Sequence, residues 1–427
     1  MILDIAFNNY RLFKENNELS FSADLRTKKL LSNAIAFEGK NVLKCIGLYG
    51  ENNGGKTNIV TLFIILRDML LGEVKGPINR SLFGDLPVTD ISVIFDNGDG
   101  NGWLKYEFSF DSATLSFPKE KIVSISFYEN GAPFYKTIFE KDVDKKVLSV
   151  FGEDKSSFLD VLPSSRPLLY SVKTDEGAFA LLNGYLNSIK KLADSIEIIS
   201  MYNIPLLKTM SALKGDDKKE KDFIRSFVQS ADLSIEDFSY EKNSMNYDAH
   251  INNKIAEDAL SNYLSLEDAF RLSTTYHGVK VPSLFYDSSG TKKIESIASY
   301  IYEAIAKGKL LVIDELDNGL HFNLTRAIVS AFNNIGNQKG QLLFTSHDLL
   351  LIDCKNLLRK DQICFIERDE AKAKVFCLKE AKASEGGPRE GSDLLRYYQK
   401  GGFGKVPTPN FVRDIISISA PNGEEGK

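Results

Sequence analysis

A glycine-rich stretch near the start of the chain ends in a lysine and a hydroxyl residue, in the sequence IGLYGENNGGKTN at residues 46–58. Gly50 and Gly55 are separated by four residues and precede Lys56-Thr57. Glycines at this spacing let backbone N–H groups turn inward around phosphate oxygens, while the lysine ammonium reaches the terminal phosphates. The pattern therefore predicts a phosphate-binding loop, and a nucleoside triphosphate is the first candidate ligand.

The residues on either side of this loop predict the strand and the helix that such a loop joins. VLKCIGLY at residues 42–49 is a short apolar run typical of a strand. NIVTLFIILRDMLL at residues 58–71 is typical of a buried helix that is too short to cross a bilayer. Strand, loop and helix together are the context that the motif requires. The candidate nucleotide contacts in the loop are Asn52, Asn53, Gly54, Gly55, Lys56, Thr57 and Asn58.

A second group of candidate residues lies far downstream, in LLVIDEL at residues 310–316. Four apolar strand residues are followed there by Asp314 and Glu315. An aspartate at this position can hold Mg²⁺ together with the Thr57 hydroxyl, and an adjacent glutamate can deprotonate the attacking water. An isolated acidic pair at a strand end is more often the start of a loop. Beside a phosphate-binding loop, the pair predicts a Mg²⁺-dependent hydrolytic site.

Two further motifs flank this strand. Ser288, Ser289 and Gly290 begin a segment with helical periodicity, and their hydroxyls, free N–H groups and helix dipole favour a phosphate. The alternative for these residues is an ordinary helix N-cap. His347 ends another apolar strand in LLFTSHD, where it is a candidate sensor of the terminal phosphate; the alternative is a structural histidine.

Composition and charge narrow the class of protein. The 427 residues, 43% of them hydrophobic and 26% charged, are ordinary for a folded protein of more than one domain. A net charge of -5 leaves no global basic field, so nucleic-acid binding would need a local patch. The four cysteines have no C-x-x-C spacing, which predicts free buried thiols and neither a zinc site nor a disulfide framework. We expect a cytoplasmic protein that does not engage a membrane, because the chain shows no signal peptide and no long apolar run.

The hydrophobic pattern changes along the chain. Strict alternation broken by N-G and D-G turns between residues 88 and 140 predicts an antiparallel meander. From about residue 155 to 270 the pattern favours helices, and LLNGYLNSIKKLADSIEII at residues 181–199 is the most regular of them. From 271 to 378, helices alternate with short apolar strands that end in polar residues, as in a parallel or mixed sheet.

The order of these motifs resembles that of the ATP-binding-cassette ATPases. In that family the serine–glycine signature of one subunit covers the ATP bound to the phosphate loop of another, so the resemblance implies ATP and Mg²⁺ as cofactors and a head-to-tail dimer. It also implies that Asp317 lies at the subunit contact and that His347 approaches the γ-phosphate. The implied fold is an α/β fold, an ABC-type P-loop ATPase head with a mixed sheet, an antiparallel β subdomain and an inserted helical domain.

This interpretation divides the chain into four parts. Residues 1–150 form an N-terminal ATPase lobe that contains the phosphate loop and the antiparallel subdomain. Residues 151–270 form the helical insertion. Residues 271–380 form the C-terminal ATPase lobe with the signature, the acidic pair and His347. Residues 381–427 form an extension with a flexible polar tail.

The resemblance can be narrowed further. NNYRLFKE near the N-terminus is similar to the start of RecF and chromosome-maintenance ATPases, which implies that Arg11 touches the nucleotide. Within that branch, SADLSIEDF, DSSGTKK, LLVIDELDNGLH and YYQKGGFGKVP look like the bacterial abortive-infection ATPases of the AbiL/RloA type. These are related to OLD-like nucleases and to ATPase subunits of the PARIS and Septu defence systems. The resemblance implies a homodimer or higher homo-oligomer that controls a separately encoded, nuclease-like effector.

The chain departs from the family pattern at a few positions. Thr57 stands where a serine is common, and Asp287 stands where a glutamate is frequent. Threonine is an adequate Mg²⁺ ligand. We do not identify the glutamine that couples Mg²⁺ to the helical lobe in many cassette ATPases.

Two other functions remain open from the sequence. A DNA-repair or recombination ATPase of the RecF kind would need a basic patch, for which residues 214–225 or Lys292 and Lys293 are candidates, although such runs are usually solvated faces. A nucleotide-stabilised scaffold, whose ATP turnover is incidental, would need the same phosphate loop and no efficient hydrolysis.

Overall fold

A computed structural model describes most of the chain. The described residues are 1–72, 78–98, 100, 102–128, 132–159, 165–167, 177–200, 206–241, 266–354, 356–369, 372–381, 387, 393–402 and 411–412. Most of the extension expected at 381–427, including the polar tail, lies outside the described residues. No helix in the described ranges is both long and apolar enough to cross a bilayer.

Strands and helices are numbered here in chain order. The strands are β1 (Ile2–Asn8), β2 (Asn17–Ser20), β3 (Ala34–Phe37), β4 (Lys40–Leu43), β5 (Cys45–Tyr49), β6 (Val88–Asp96), β7 (Trp103–Asp111), β8 (Ser116–Phe127), β9 (Pro133–Asp142), β10 (Val147–Val150), β11 (Glu153–Asp154), β12 (Ile196–Ile199), β13 (Asp237–Tyr240), β14 (Leu272–Tyr276), β15 (Val279–Pro282), β16 (Leu310–Ile313), β17 (Gln341–Thr345), β18 (Ile363–Asp369) and β19 (Lys372–Cys377). The helices are α1 (Lys56–Leu70), α2 (Asn183–Asp194), α3 (Leu206–Lys214), α4 (Lys218–Ala231), α5 (Leu266–Arg271), α6 (Ser283–Tyr286), α7 (Ser289–Lys307), α8 (Phe322–Asn333), α9 (Leu350–Asp353) and α10 (Leu394–Gln399).

A long antiparallel sheet has the strand order β11-β10-β9-β8-β7-β6-β1-β2. Each neighbouring pair is antiparallel, and β6 to β9 follow one another along the chain as hairpins. Alternate residues of β6, such as Ile91, Val93 and Phe95, are buried, which is typical of a sheet with one face on the core. The predicted antiparallel meander is therefore confirmed.

The candidate residues are positioned by a second, mixed sheet of order β12-β16-β17-β5-β18-β19. All neighbours in it are parallel except the last pair, β18 and β19. In this register Ile313 lies opposite Phe344, and Thr345 lies opposite Leu48. Because parallel strands end at the same edge, the residues after β5, β16 and β17 meet there. The predicted α/β fold with a mixed sheet is confirmed.

The two faces of the mixed sheet belong to different parts of the core. Ile46 and Leu48 of β5 pack with α1 and with the inner face of the antiparallel sheet. Cys45 and Tyr49, which alternate with them, pack with α7 and α8 on the opposite face. The central strands are therefore apolar throughout, as a sheet covered on both faces requires.

The prediction of a continuous helix over residues 181–199 is wrong at its C-terminal end. Helix α2 ends at Asp194, and Ile196–Ile199 form β12, which pairs in parallel with β16. Three isoleucines in four residues favour an extended strand, and the sheet edge offers them a partner. The helical expectation for residues 155–270 holds for α3 and α4, which pack against α7. It is wrong for Asp237–Tyr240, which form β13 because they pair with β14.

The prediction that all four cysteines are free thiols is wrong for one pair. Cys364 and Cys377 lie directly opposite each other in the β18–β19 hairpin and form a disulfide, with their Cα atoms 3.9 Å apart. Cys45 and Cys354 are free. The pairing depends on the hairpin register, and a register does not appear in the cysteine spacing.

A buried glutamine fastens the antiparallel sheet to the mixed sheet. The side-chain amide of Gln341, the first residue of β17, accepts a hydrogen bond from the N–H of Ile2 and donates one to the carbonyl of Ile2, both at 2.8 Å. Gln341 is 1% exposed, so water cannot replace these contacts. The amide therefore satisfies both backbone groups of Ile2.

We predict that Gln341→Leu destabilises the fold by about 2–4 kcal/mol, because it leaves one buried donor and one buried acceptor without partners. The measurement is the urea dependence of tryptophan fluorescence. Gln338→Leu, an exposed glutamine in the preceding turn, is the matched control and should leave the midpoint unchanged. Equal midpoints for the two variants would contradict the role assigned to Gln341.

Candidate active site

The predicted phosphate-binding loop joins the end of β5 to the start of α1. Gly50 and Gly55 have φ angles of 147° and 117°, which side chains rarely allow. A Cβ atom at Gly50 would lie 3.0 Å from the carbonyl oxygen of Ile366, so the loop also needs glycine there for space. Asn53 has a positive φ of 62°. The loop thus brings its backbone N–H groups to the N-terminal end of α1, where the helix dipole favours an anion.

Lys56 is held inside this loop. Its ammonium donates to the carbonyl oxygens of Gly50 at 2.8 Å and of Glu51 at 2.9 Å. Burial lowers the pKa of Lys56, whereas the carboxylates of Asp314 and Glu315 oppose that shift. The lysine is therefore already oriented toward the loop, beside the acidic residues that follow β16.

The hydroxyl of Thr345 links the two acidic residues to β17. It donates to a carboxylate oxygen of Asp314 at 2.6 Å and accepts the backbone N–H of Glu315 at 2.7 Å. The backbone N–H of Asp314 donates to the carbonyl of Ile199 at the end of β12. Asp314 and Glu315 are thus fixed from the strands on both sides of β16.

Glu315 has a left-handed backbone conformation with a φ of 50°, which is unfavourable for a glutamate and common at functional sites. Its carboxylate accepts a hydrogen bond of 3.2 Å from the side-chain amide of Asn318. The ammonium of Lys293, on the first turns of α7, donates to the carbonyls of Glu315 and Asn318, both at 2.7 Å. Burial lowers the pKa of Lys293, and the neighbouring carboxylates of Asp317 and Glu315 oppose the shift.

Asp317 and His347 lie together at the same edge. The backbone N–H of His347 donates to both carboxylate oxygens of Asp317, at 3.3 and 3.2 Å. Burial lowers the pKa of the His347 imidazole, and the positive charge of Lys56 lowers it further. A neutral imidazole can accept or donate a hydrogen bond without adding positive charge. His347 is therefore close to Lys56 and to the acidic residues, where the sequence predicts a phosphate sensor.

The candidate signature lies at the N-terminus of α7. Ser288 is the N-cap, and its hydroxyl oxygen accepts the backbone N–H of Thr291 at 3.1 Å. Ser288 and Ser289 are exposed, and a Cβ atom at Gly290 would lie 2.8 Å from the carbonyl oxygen of Gly319. Within the described ranges no hydrogen bond joins these three residues to the phosphate loop of the same chain.

The N-terminal hairpin contributes Arg11 to the site. Its guanidinium donates to the side-chain oxygen of Asn58 at 3.1 Å and lies 5.6 Å from the ring centre of Tyr10. Arg11 is thus next to the first turn of α1. Asn52 and Asn53 are exposed at the tip of the loop.

Four polar residues at the site were not predicted from the sequence. Thr345 is the last residue of the apolar strand β17, shortly before His347, and this position could have identified it as a site residue. Arg368, which donates to the carbonyl of Asn53 at 3.1 Å, shares no local motif with the loop. Lys293 and Asn318 likewise reach Glu315 only through the tertiary fold.

The arrangement suits a nucleoside triphosphate with Mg²⁺. The backbone loop and the ammonium of Lys56 form a cradle for phosphate oxygens. Thr57 and Asp314 offer the hydroxyl and carboxylate oxygens that Mg²⁺ prefers. Among the described residues, no group of three or more histidine, cysteine or acidic side chains could hold a metal ion alone. Mg²⁺ would therefore need phosphate oxygens and waters as further ligands, which is its usual coordination.

We predict that Lys293→Met lowers the rate of nucleoside triphosphate hydrolysis about ten- to hundredfold, because two charge-assisted hydrogen bonds that hold the Glu315 loop are lost. Nucleotide binding to the phosphate loop should stay near normal in a fluorescent-nucleotide titration. Lys218→Met, an exposed lysine on α4, is the control. Unchanged hydrolysis by Lys293→Met would remove Lys293 from the support of Glu315.

Solved structures similar to this chain share little sequence with it. An SmcHead bound to the C-winged helix domain of ScpA is 13% identical with a TM-score of 0.47, covering 90% of this chain and 99% of that chain. The SMC head domain from Thermotoga maritima is 10% identical with a TM-score of 0.41, covering 88% and 98%. The recombination mediator RecF-ATPrS of the RecFOR pathway is 14% identical with a TM-score of 0.37, covering 88% and 98%.

No curated protein matches the chain. A family model does match, over residues 45–353, and its description is "AAA domain, putative AbiEii toxin, Type IV TA system". The matched segment runs from β5 through the phosphate loop, the signature and the acidic pair to α9, and it covers more than half of the 427 residues. The chain therefore belongs to this AAA-domain family of P-loop ATPases.

Proposed function

We propose that this ATPase hydrolyses ATP with Mg²⁺ in sites shared between two copies of the chain, and that its nucleotide state controls a separately encoded, nuclease-like effector in antiphage defence of the abortive-infection type. The observation that carries the proposal is the convergence of Lys56, Asp314, Glu315 and His347 at one sheet edge, with an exposed signature on the same chain. The proposed parts are an N-terminal lobe (1–150), a helical insertion (151–270), a C-terminal lobe (271–380) and an extension (381–427).

Each residue of the proposed site has a distinct task. Lys56 and the N–H group of Gly55 would bind the phosphates, and Thr57 with Asp314 would hold Mg²⁺, which would neutralise charge that develops during phosphoryl transfer. Glu315 orients and deprotonates the attacking water. The side chains of Thr345 and Lys293 form hydrogen bonds with the backbone of the Glu315 loop and keep it in place. The loop therefore needs no reorganisation at the moment of reaction.

The shared site is supported by the position of the signature. Ser288 and Ser289 are exposed at the positive end of α7, a helix of 19 residues, and this end can receive a phosphate from outside the chain. Gly290 lies against Gly319 in the loop that follows the acidic pair, beside Asp317. A second copy that approaches this surface would meet the signature and Asp317 together. The proposed assembly is a homodimer or a higher homo-oligomer.

The defence role rests on the family and on the motif resemblance. The description of the matched family refers to an AbiEii toxin and a type IV toxin–antitoxin system. Together with the AbiL/RloA-like motifs, this supports a function in abortive infection. A nucleotide-dependent ATPase can control an effector only if the effector binds the open and closed assemblies with different affinity.

Three groups of the candidate basic patches, Lys214, Arg225 and Lys293, are engaged within the chain, whereas Lys218 and Lys219 are exposed. Lys293 is engaged with the carbonyls of Glu315 and Asn318. At the two ends of the 214–225 segment, Lys214 forms an ion pair of 2.7 Å with Asp268, and Arg225 lies 3.6 Å from Asp237. These groups already have partners within the chain, so a DNA phosphate would have to displace them.

We predict that Glu315→Gln lowers ATP hydrolysis about 10²–10⁴-fold, because the water loses its general base. ATP binding should persist in this variant, whereas Lys56→Ala should lose it. Steady-state phosphate release and nucleotide titration measure the two effects. Glu153→Gln in β11 and Lys191→Ala on α2 are exposed controls. Hydrolysis by Glu315→Gln at the normal rate would exclude it as the base.

We predict that the chain alone is harmless to cells and cuts neither DNA nor RNA, since the candidate catalytic residues within the described part of the chain form one ATPase site. Co-expressed with the protein encoded next to it, it should lower phage plating, and Lys56→Ala or Glu315→Gln should abolish this protection. The two measurements are nuclease assays on the purified chain and phage plating with and without the neighbouring gene. Cutting or full protection by the chain alone would contradict the separate effector.

A further inference from the structure

Two carboxyl groups are buried next to the signature. Asp287 directly precedes Ser288 and is 5% exposed. Glu295 lies two turns further along α7 and is 0% exposed. Neither residue belongs to the proposed phosphate, metal or water sites. Burying a carboxyl group costs free energy unless the group is protonated or hydrogen-bonded. Two buried carboxyl groups at this position therefore need an explanation.

Donors from β14 and from α6 surround this pair. Asp287 accepts hydrogen bonds from the hydroxyl of Thr274 at 2.5 Å and from that of Tyr276 at 2.8 Å, one on each carboxylate oxygen. Glu295 accepts one from the hydroxyl of Ser283 at 2.6 Å, and the hydroxyl oxygen of Thr274 lies 3.4 Å from its other carboxyl oxygen. Both acids are thereby fixed to β14 and to the residues just before the signature.

The two acids also contact each other. Burial raises the pKa of the Glu295 carboxyl well above its ordinary value, and a hydrogen bond with Asp287 raises it further. Two adjacent buried carboxylates cannot both be ionised cheaply. This favours the protonated form of Glu295, whose carboxyl can donate to Asp287, and Asp287 accepts in addition from Thr274 and Tyr276. The result is a closed hydrogen-bonded cluster with one defined geometry.

We propose that Asp287 and Glu295 are positioning residues that set the direction in which Ser288, Ser289 and Gly290 face the ATP of a neighbouring subunit. This inference rests on the proposed shared site. Asp287 has an extended backbone, with φ of -77° and ψ of 150°, and is fixed through both carboxylate oxygens. The chain is thus held one residue before the N-cap, and Glu295 holds α7 on the other side of the signature.

The same cluster connects the signature to helix α4. Thr274 and Tyr276 lie on β14, which pairs with β13, and β13 follows α4. Further along α7, the hydroxyl of Ser299 donates to Glu220 of α4 at 2.6 Å. Helix α4 is therefore joined to α7 directly and to the signature through the sheet. A displacement of α4 by a partner would therefore be transmitted to the signature.

Subunit mixing separates positioning in trans from an effect on the variant's own phosphate loop. The test variant is Asp287→Asn, which keeps the size but places an amide donor against the hydroxyl donors. Lys56→Ala keeps an intact signature, and Gly290→Glu keeps an intact phosphate loop. Mixing Asp287→Asn with Lys56→Ala creates one composite site with every part intact. Mixing Asp287→Asn with Gly290→Glu leaves two damaged signatures.

We expect Asp287→Asn alone to lower kcat for ATP at least about tenfold while the Kd for nucleotide stays within about twofold, since only the contact from the neighbour is disturbed. Random pairing with Lys56→Ala should restore about a quarter of wild-type activity, because half of the dimers carry one good site. Pairing with Gly290→Glu should restore none. Wild-type kcat in Asp287→Asn, or equal rescue by both partners, would overturn the inference.

A folding defect is distinguished by a second variant. Glu295→Gln retains a donor toward Asp287 and should keep most of the activity, whereas Glu295→Leu should behave as Asp287→Asn does. Equal loss in Glu295→Gln and Glu295→Leu would contradict the hydrogen-bond role. Mixing Lys56→Ala with Gly290→Glu tests the proposed function separately. If that mixture is inactive despite proven hetero-assembly, the shared site itself fails, whereas its rescue leaves only the positioning role in question.

Discussion

The hydroxyl of Thr345 is the contact on which the geometry of the site depends. It satisfies the N–H of Glu315 in a left-handed conformation and binds the carboxylate of Asp314 at the same time. This is possible only because β16 and β17 are parallel and in a register that ends both strands at one edge. The strand pair, and not the acidic sequence by itself, brings the two acidic residues to the sheet edge where Lys56 lies. A strained glutamate beside a buried lysine is stable because the sheet determines its position.

The loop after the acidic pair is also the meeting point of the two halves of the proposed shared site. Lys293 of α7 binds its carbonyls, Gly290 packs on it, and Asp317 binds the backbone of His347. The signature helix and the Glu315 loop therefore form one unit. A phosphate received by the signature from a neighbouring copy would act on the same loop that carries Glu315, the proposed general base. In the proposed assembly, this arrangement would connect ATP hydrolysis physically to closure of the two subunits.

Much of the site was predictable because its motifs are local. The glycines, Lys56 and Thr57 lie within one loop, and an apolar run followed by Asp314 and Glu315 needs no knowledge of the fold. Long-range contacts were not predictable in this way. Lys293 has the appearance of a solvated lysine in the sequence, and nothing near Glu295 shows that it meets Asp287 and Ser283.

Two other features of the fold depend on strand register or on the presence of a neighbouring strand. Ile196–Ile199 continues an amphipathic helix in the sequence and becomes a strand because the edge of β16 is free to accept it. The Cys364–Cys377 disulfide depends on which residues face each other in a hairpin. In each case the local pattern permits two structures, and tertiary pairing selects one.

The central claim is that two copies of the chain close over ATP at this sheet edge. The most direct test is the mass of Glu315→Gln in sedimentation equilibrium, with and without ATP and Mg²⁺, since this variant should bind ATP without consuming it. The account predicts that ATP converts the protein to a dimer or a larger closed assembly, and that adding Gly290→Glu to the same chain prevents the conversion. A mass that ATP leaves unchanged, in a variant shown to bind ATP, would contradict the account.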